Sequence, residues 1–297
     1  MRKSVLYPTL ALVLGAAAAA LRMWQRTSGY DESGLPVPFA LPSIVLAVFL
    51  LLCAGAILYA ALRRPKALEE QKNALPQGDL PALLLAAAGV LVLIAGMLSL
   101  LDFFRSYLAF SQVLYATQRE QREALRVFLS NSLLTGVLAL ACVPTSVALL
   151  VRARKAKQGA AEFRTFPVMM PSILGWLWLI DVYRGHTSNP ILWDYVLLLL
   201  AAVALLVSAY ERAGFAFGAG KPRRSVFSSL AALILSVAAL PDCGGMSNAL
   251  ILLALAVLAW VDLSALLACF EYRPKRLATE SDESTAQSSQ QEDVSHE

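Results

Sequence analysis

The stretch "LPALLLAAAGVLVLIAGMLSLL", Leu80 to Leu101, is 22 residues long and carries no charge. As a helix rising ~1.5 Å per residue it covers the ~30 Å hydrocarbon core of a bilayer. Lipid offers no hydrogen bonds, so a chain crossing it must satisfy its own backbone groups, as a helix does. A transmembrane β-barrel needs short alternating segments instead, and the sequence has none.

Seven further apolar runs follow the same rule. The spans expected are 5–22, 41–62, 80–102, 132–151, 166–183, 191–210, 225–241 and 247–270. Only 15% of the 297 residues are charged, against about 25% in soluble domains, and the charges lie mostly between these runs. The expected fold is therefore an all-α, polytopic transmembrane bundle of about eight spans over residues 1–276. The first span has a second reading. "MRK", an apolar run and "GAAAAAL" also fit a signal peptide, whose removal leaves seven spans.

Basic residues concentrate on the cytoplasmic side of bilayer-spanning proteins. With eight spans and an inner amino terminus, 18 of the 25 Lys and Arg fall in inner segments. Arg22, Arg26, Arg105, Arg119, Arg122, Arg126 and Arg184 remain outside. The expectation is a multi-pass protein of the cytoplasmic membrane with both termini cytoplasmic. Four of the outer arginines lie in 103–130, whose second half is amphipathic and pairs Arg119 with Glu123. It reads either as an interfacial helix on the outer face or as a continuation of the third helix. The acidic tail 277–297 has no aromatic residue and reads as disordered.

Several function classes are excluded. "GFAFGAGK", Gly214 to Lys221, spaces its glycines wrongly for a phosphate loop and ends in Pro222 where Ser or Thr is required. It reads as a cytoplasmic turn. Cys53, Cys142, Cys243 and Cys269 form no CxxC pair or Cys/His cluster, so no metal or cofactor is expected. His186, Ser188, Asp181 and Asp194 crowd one loop without an oxyanion hole, which leaves no catalytic constellation. The net charge of +4 reflects membrane anchoring and gives no argument for nucleic acid. Membrane lipids are the expected partners.

Charges at membrane depth are costly and commonly mark a pathway or a paired site. Asp262, in "LAWVDLSALL", lies well inside the last span. It reads as a cation or proton site, with Ser228 and Ser229 as candidate partners, or as a helix-helix hydrogen bond. Asp102, Asp181, Asp194 and Asp242 form a second group at the outer helix ends, with Trp176, Trp178, Tyr183, Trp193 and Tyr195 in the same layer. Asp102 with Arg105, and Asp181 with Arg184, are i,i+3 pairs on one helix face. The layer reads as a vestibule for a small cationic or zwitterionic ligand, or as an aromatic belt with helix-end charges reaching water. Pro144 in the fourth span should kink it and free the carbonyl of Leu140.

"GMLSLLDFFR", Gly96 to Arg105, is echoed by "GWLWLIDVYR", Gly175 to Arg184. Both end a span with Asp-x-aromatic-Arg. Internal repeats build many transporters, but two helices leaving the bilayer in the same direction produce the same echo, and the likeness stops there. The region from Arg164 to Ser225, with Pro171, "NPILWDY" and "AGFAFGAGKPRR", resembles a group of uncharacterised bacterial multispan membrane proteins. That resemblance implies an eight-helix bacterial inner-membrane protein and carries no activity with it.

The sequence thus points to binding or translocation of a small solute or ion, between the outer Asp/Trp layer and Asp262. The alternative is a non-transporting sensor or an integral subunit of a larger membrane complex.

Overall fold

A computed structural model describes residues 3–31, 37, 39–64, 76–113, 121–122, 125–126, 128–159, 165–185 and 194–271. The described residues form eight helices and no strand: α1 (Lys3–Ser28), α2 (Leu41–Leu62), α3 (Asp79–Val113), α4 (Leu133–Gln158), α5 (Thr165–Gly185), α6 (Val196–Ala216), α7 (Pro222–Ala238) and α8 (Met246–Glu271). A π-helical turn, Phe128–Ser132, leads into α4, and a 3-10 turn, Leu240–Asp242, follows α7. Seven of the helices are long and apolar enough to cross a membrane. The protein is a multi-pass, all-helical membrane bundle.

The exception is α7. At 17 residues it reaches only ~25 Å. Its serines Ser225, Ser228, Ser229 and Ser236 are all buried, and it packs against α1, α2, α6 and α8. Ser229 shares a 2.9 Å hydrogen bond with Ser208 on α6. Ser228 and Ser236 donate to carbonyls of their own helix, and a helix buried among others in this way need not present an apolar surface to lipid. The other central helix is α8, with 72% of its most apolar stretch buried; α2, at the periphery, has 22%.

Contacts between helix ends show that the helices alternate in direction. Gly78, ahead of α3, donates its N–H to the carbonyl of Ala156 near the end of α4. Arg64 after α2 lies over the rings of Tyr7 on α1 and Phe270 on α8. Arg223 on α7 donates to the Arg64 carbonyl at 2.7 Å. These residues define a basic end. At the opposite, aspartate end, Trp178 of α5 donates to Asn248 of α8 at 3.1 Å, and Ser99 of α3 pairs with Ser247 of α8 at 2.5 Å.

Several boundaries differ from expectation: the first span, placed at 5–22, is helical to Ser28, and the fourth, placed at 132–151, to Gln158. The sixth span, placed at 191–210, is helical from Val196 to Ala216. The run of apolar residues stops at Glu211 and Arg212, but Arg212 is buried against Asp262 and the helix continues past it. The seventh, placed at 225–241, starts instead at Pro222, whose missing N–H suits a first helical turn. The third continues to Val113, so the near part of 103–130 extends α3 and does not lie along the interface. Residues 121–122 and 125–126 are helical too. The Phe128 ring then packs back on α3, stacked on Phe110 at 5.1 Å and near Phe103 and Tyr107.

Among the described residues, side-chain hydroxyls attend two of the three in-helix prolines, Pro8 and Pro144 but not Pro171. Thr9 bonds the carbonyls of Val5 and Leu6 beside Pro8. Thr145 donates to the carbonyl of Ala141 at 2.8 Å, one residue beyond the Leu140 carbonyl expected to be freed by Pro144. At the turn after α6, Gly218 has φ +73° and Ala219 N–H bonds the Gly214 carbonyl. A Cβ on Gly220 would lie 2.4 Å from the buried Phe215 ring. "GFAFGAGK" is therefore a tight turn, as its glycines required.

Candidate functional site

At the aspartate end, α4, α5 and α8 enclose a cleft of about 150 Å³ lined by Leu134, Thr135, Asp181, Val182, Arg184, Gly185 and Asn248. The geometry follows from helix periodicity. Asp181 and Arg184, three residues apart near the end of α5, project to one side. Thr135, two residues into α4, donates to Asp181 Oδ1 at 3.2 Å. Asn248 opens α8, and its Oδ1 is held by the indole of Trp178, whose side chain is fully buried. Four of the seven lining residues are polar, and they come from three helices.

The same three-helix logic fails to link this cleft to Asp262. Asn248 and Asp262 are fourteen residues apart on α8, or ~21 Å. The intervening Ile251, Leu252, Leu255, Leu258 and Ala259 are buried in the apolar core. Asp262 itself is held near the basic end. Its Oδ1 accepts from Arg152 of α4 at 2.5 Å and lies 3.4 Å from Nε of Arg212 of α6. The three residues are 5%, 7% and 2% exposed, and Arg212 also stands over the Phe215 ring at 5.5 Å.

The expected partners Ser228 and Ser229 do not bind Asp262. Ser228 donates to the Ser225 carbonyl and Ser229 pairs with Ser208. An ionised carboxylate in a dry interior is best matched by charged donors, and two arginines outcompete hydroxyls for it. In the sequence both arginines read as inner anchoring charges, because each follows an apolar run. One signal was available. Cys142, Thr145, Ser146, Leu149 and Arg152 recur at helical spacing and are all buried, so the buried stripe of α4 runs into the arginine.

A second ionic network closes the aspartate end beside α1. Arg22, within α1 and 0% exposed, donates from Nε to both Asp242 carboxylate oxygens at 3.0 and 2.9 Å. Its Nη1 bonds Gln25 Oε1 at 2.7 Å and its Nη2 the Asp194 carbonyl at 3.3 Å. Gln25 passes the network to Ser43 of α2, and Arg26 bonds the Pro241 carbonyl. Burial pushes the Asp242 carboxyl above the usual carboxylate range, and Arg22 pulls it back in part. Burial and the neighbouring Asp194 carboxylate likewise push the Tyr30 phenol up.

The expected outer layer is thus divided. Asp181 and Arg184 share the cleft. Asp194 and Asp242 belong to the Arg22 network, and Tyr195 stands at the N-terminal boundary of α6 without a side-chain capping bond. Asp102 and Arg105 pair at 3.3 Å on the exposed extension of α3, away from the cleft. Trp193, His186 and Ser188 lie outside the described residues. Trp176 and Tyr183 are more than half exposed on the outer face of α5, which fits an aromatic belt. The two echoed segments differ in the same way: one ends exposed, the other in the cleft.

The chain matches no protein-family model, no curated protein and no solved structure.

Proposed function

We propose that this membrane protein binds a small solute or ion in the cleft at the aspartate end and carries it across the cytoplasmic membrane. The observation that carries the reading is the convergence of Thr135, Asp181, Arg184 and Asn248, from three helices, on one space of about 150 Å³. The basic end, with Arg63, Arg64, Arg154, Lys155, Lys157, Lys221, Arg223 and Arg224, fits the cytoplasmic side by the positive-inside rule. The cleft then opens outward, and the Asp262 triad ties α4, α6 and α8 together on the inner side. A cleft open to one side, with a packed core and the Asp262 triad closing the other, fits the outward-facing state of alternating access.

The test is flux. Proteoliposomes holding the full chain are exposed to a mixed pool of labelled small metabolites and inorganic ions. Entry of at least one above empty liposomes, reduced in Asp181→Asn, supports transport. No entry from the whole pool overturns it. Instability of the isolated chain, relieved by a co-purifying membrane protein, favours the alternative role of a complex subunit.

A further inference from the structure

At the basic end, the end of α2 and the start of α7 bring four cations together. Arg223 of α7 donates from Nε to the Arg64 carbonyl at 2.7 Å, and Lys221 and Arg224 flank it in the chain. We infer that this cluster binds the phosphate headgroup of an anionic phospholipid, whose acyl chains lie on the adjoining faces of α2 and α7. The inference is independent of what the cleft holds.

Charge balance is the first argument. Elsewhere the fold answers its buried arginines with aspartates: Arg22 with Asp242, and Arg152 and Arg212 with Asp262. Arg64 instead lies over the rings of Tyr7 and Phe270, at 4.8 and 5.8 Å. Those contacts hold the guanidinium in place and leave its charge unneutralised. Its Nε is buried and has no hydrogen-bond partner among the described residues. No described carboxylate lies within ion-pair distance of Arg64, Lys221, Arg223 or Arg224, and the first turn of α7 contains no acid. Cations gathered without a counter-charge repel one another. A phosphodiester supplies both the charge and the acceptors, and the arginine fork binds phosphate oxygens in two places.

Position selects the source of the phosphate. The 22 residues of α2 extend ~33 Å, close to the ~30 Å hydrocarbon core. Arg64, two residues past the end of α2, therefore stands at headgroup level. Towards the bilayer, Leu58 and Leu62 of α2 and Phe227 of α7 are exposed, and Phe227 follows Arg223 by one turn on the same face. A soluble phosphate uses the cations alone, whereas a phospholipid uses the cations and the apolar wall beside them. Basic pockets between the inner ends of membrane helices take anionic headgroups in this way. A general pull of the basic end on an anionic surface would weigh all its exposed cations alike, Arg154 and Lys157 of α4 included. A site weighs Arg64 and Arg223 above them.

The test melts the full chain in detergent micelles carrying rising mole fractions of phosphatidylglycerol or phosphatidylcholine, and separately with glycerol 3-phosphate, at constant ionic strength. Phosphatidylglycerol should raise Tm by about 2–4 °C above the phosphatidylcholine value at saturation, since a ligand of the native state stabilises it. Glycerol 3-phosphate should not. Arg64→Gln with Arg223→Gln should raise the half-saturating mole fraction of phosphatidylglycerol more than about tenfold, at roughly fivefold for each cation. Arg154→Gln with Lys157→Gln removes the same charge from the same end and should leave it unchanged. Lys221→Gln with Arg224→Gln, exposed side chains with no bond to another described residue, serves if the first pair fails to fold, and should show the same loss. Equal shifts from the two lipids, a phosphatidylglycerol shift that survives removal of the cluster cations, or an equal loss in the α4 pair overturns the site. A shift from glycerol 3-phosphate as large as that from phosphatidylglycerol, lost with the same cations, overturns the lipid and leaves a site for soluble phosphate.

Discussion

Asp262 on α8 and Arg152 on α4, 110 residues apart in sequence, meet at 2.5 Å with both side chains almost sealed from solvent. Arg212 of α6 completes the cluster at 3.4 Å. Neutralising the acid would leave two guanidinium groups buried without it. Breaking a buried pair by removing one partner costs about 3–5 kcal/mol. Asp262→Asn should therefore lower Tm sharply, by an amount set mainly by folding and not by any solute. Adding Arg152→Met to Asp262→Leu should recover part of the loss, because it removes one of the two guanidinium groups left without the carboxylate, while Arg212 stays buried. Thermal melts of the single and double variants in detergent check this, and a fully additive double variant would remove the coupling. Loss of uptake in Asp262→Asn alone would not assign the aspartate to a transport path.

Arg22 holds Asp242 through two contacts from one nitrogen and spends its remaining donors on Gln25 and the Asp194 carbonyl. Lysine has the charge but not the planar fork. Arg22→Lys should destabilise the protein by roughly 1.5–3 kcal/mol, the worth of charged hydrogen bonds lost at a buried position. Protease sensitivity should rise first at the segments that the network ties down, ahead of α6 at Asp194 and after α7 at Pro241 and Asp242. An Arg22→Lys variant that melts with the native protein would show that charge alone suffices.

What the sequence made legible, and what it hid, divides along physical lines. Apolar runs betray helices because lipid forbids alternatives, and α2 falls on its expected bounds, Leu41–Leu62. Asp262 stands out because no other charge lies within its span. The pairing of Asp262 with Arg152 and Arg212 was hidden, since it depends on which helices are neighbours and pattern within a helix does not encode that. Arg22, at the end of an apolar run, looks like any anchoring charge until α7 brings Asp242 beside it. The cleft was half legible. Asp181 and Arg184 follow from i,i+3 spacing, whereas Thr135 and Asn248 join them only through the packing of α4, α5 and α8.

The echoed glycines, Gly96 and Gly175, are predicted to behave differently. A Cβ on Gly96 would lie 2.6 Å from Cys142 Cβ, where α3 and α4 touch. One on Gly175 would meet Leu206 at 3.5 Å, an ordinary contact. Gly96→Ala should force the helices apart and cost about 1–3 kcal/mol. Gly175→Ala should be neutral or stabilising, because alanine is favoured in a helix by up to ~1 kcal/mol. Cys142→Gly should relieve part of the Gly96→Ala loss in a double-mutant comparison of melting temperatures. Equal costs at the two glycines would contradict the packing at α3 and α4.

Cys243, half-buried in the turn between α7 and α8, has its thiol pushed up to about 11 by burial and by the Asp242 carboxylate. The thiolate is the reactive form. Labelling of Cys243 by a membrane-impermeant maleimide should therefore be slow at pH 8 and rise about tenfold per pH unit towards pH 10, whereas an ordinary thiol, near pKa 8.5, levels off above pH 9. The stability consequence has a definite sign. Folding raises this pKa, so the contribution of the neutral thiol is full below the unfolded value and is lost as pH climbs through about 11. The same reagent reads orientation. With the aspartate end outside, Cys243 should label in intact cells at pH 9 while Cys269, at the basic end of α8, stays protected until the membrane is opened. The opposite order of labelling would reverse the proposed orientation and turn the cleft towards the cytoplasm.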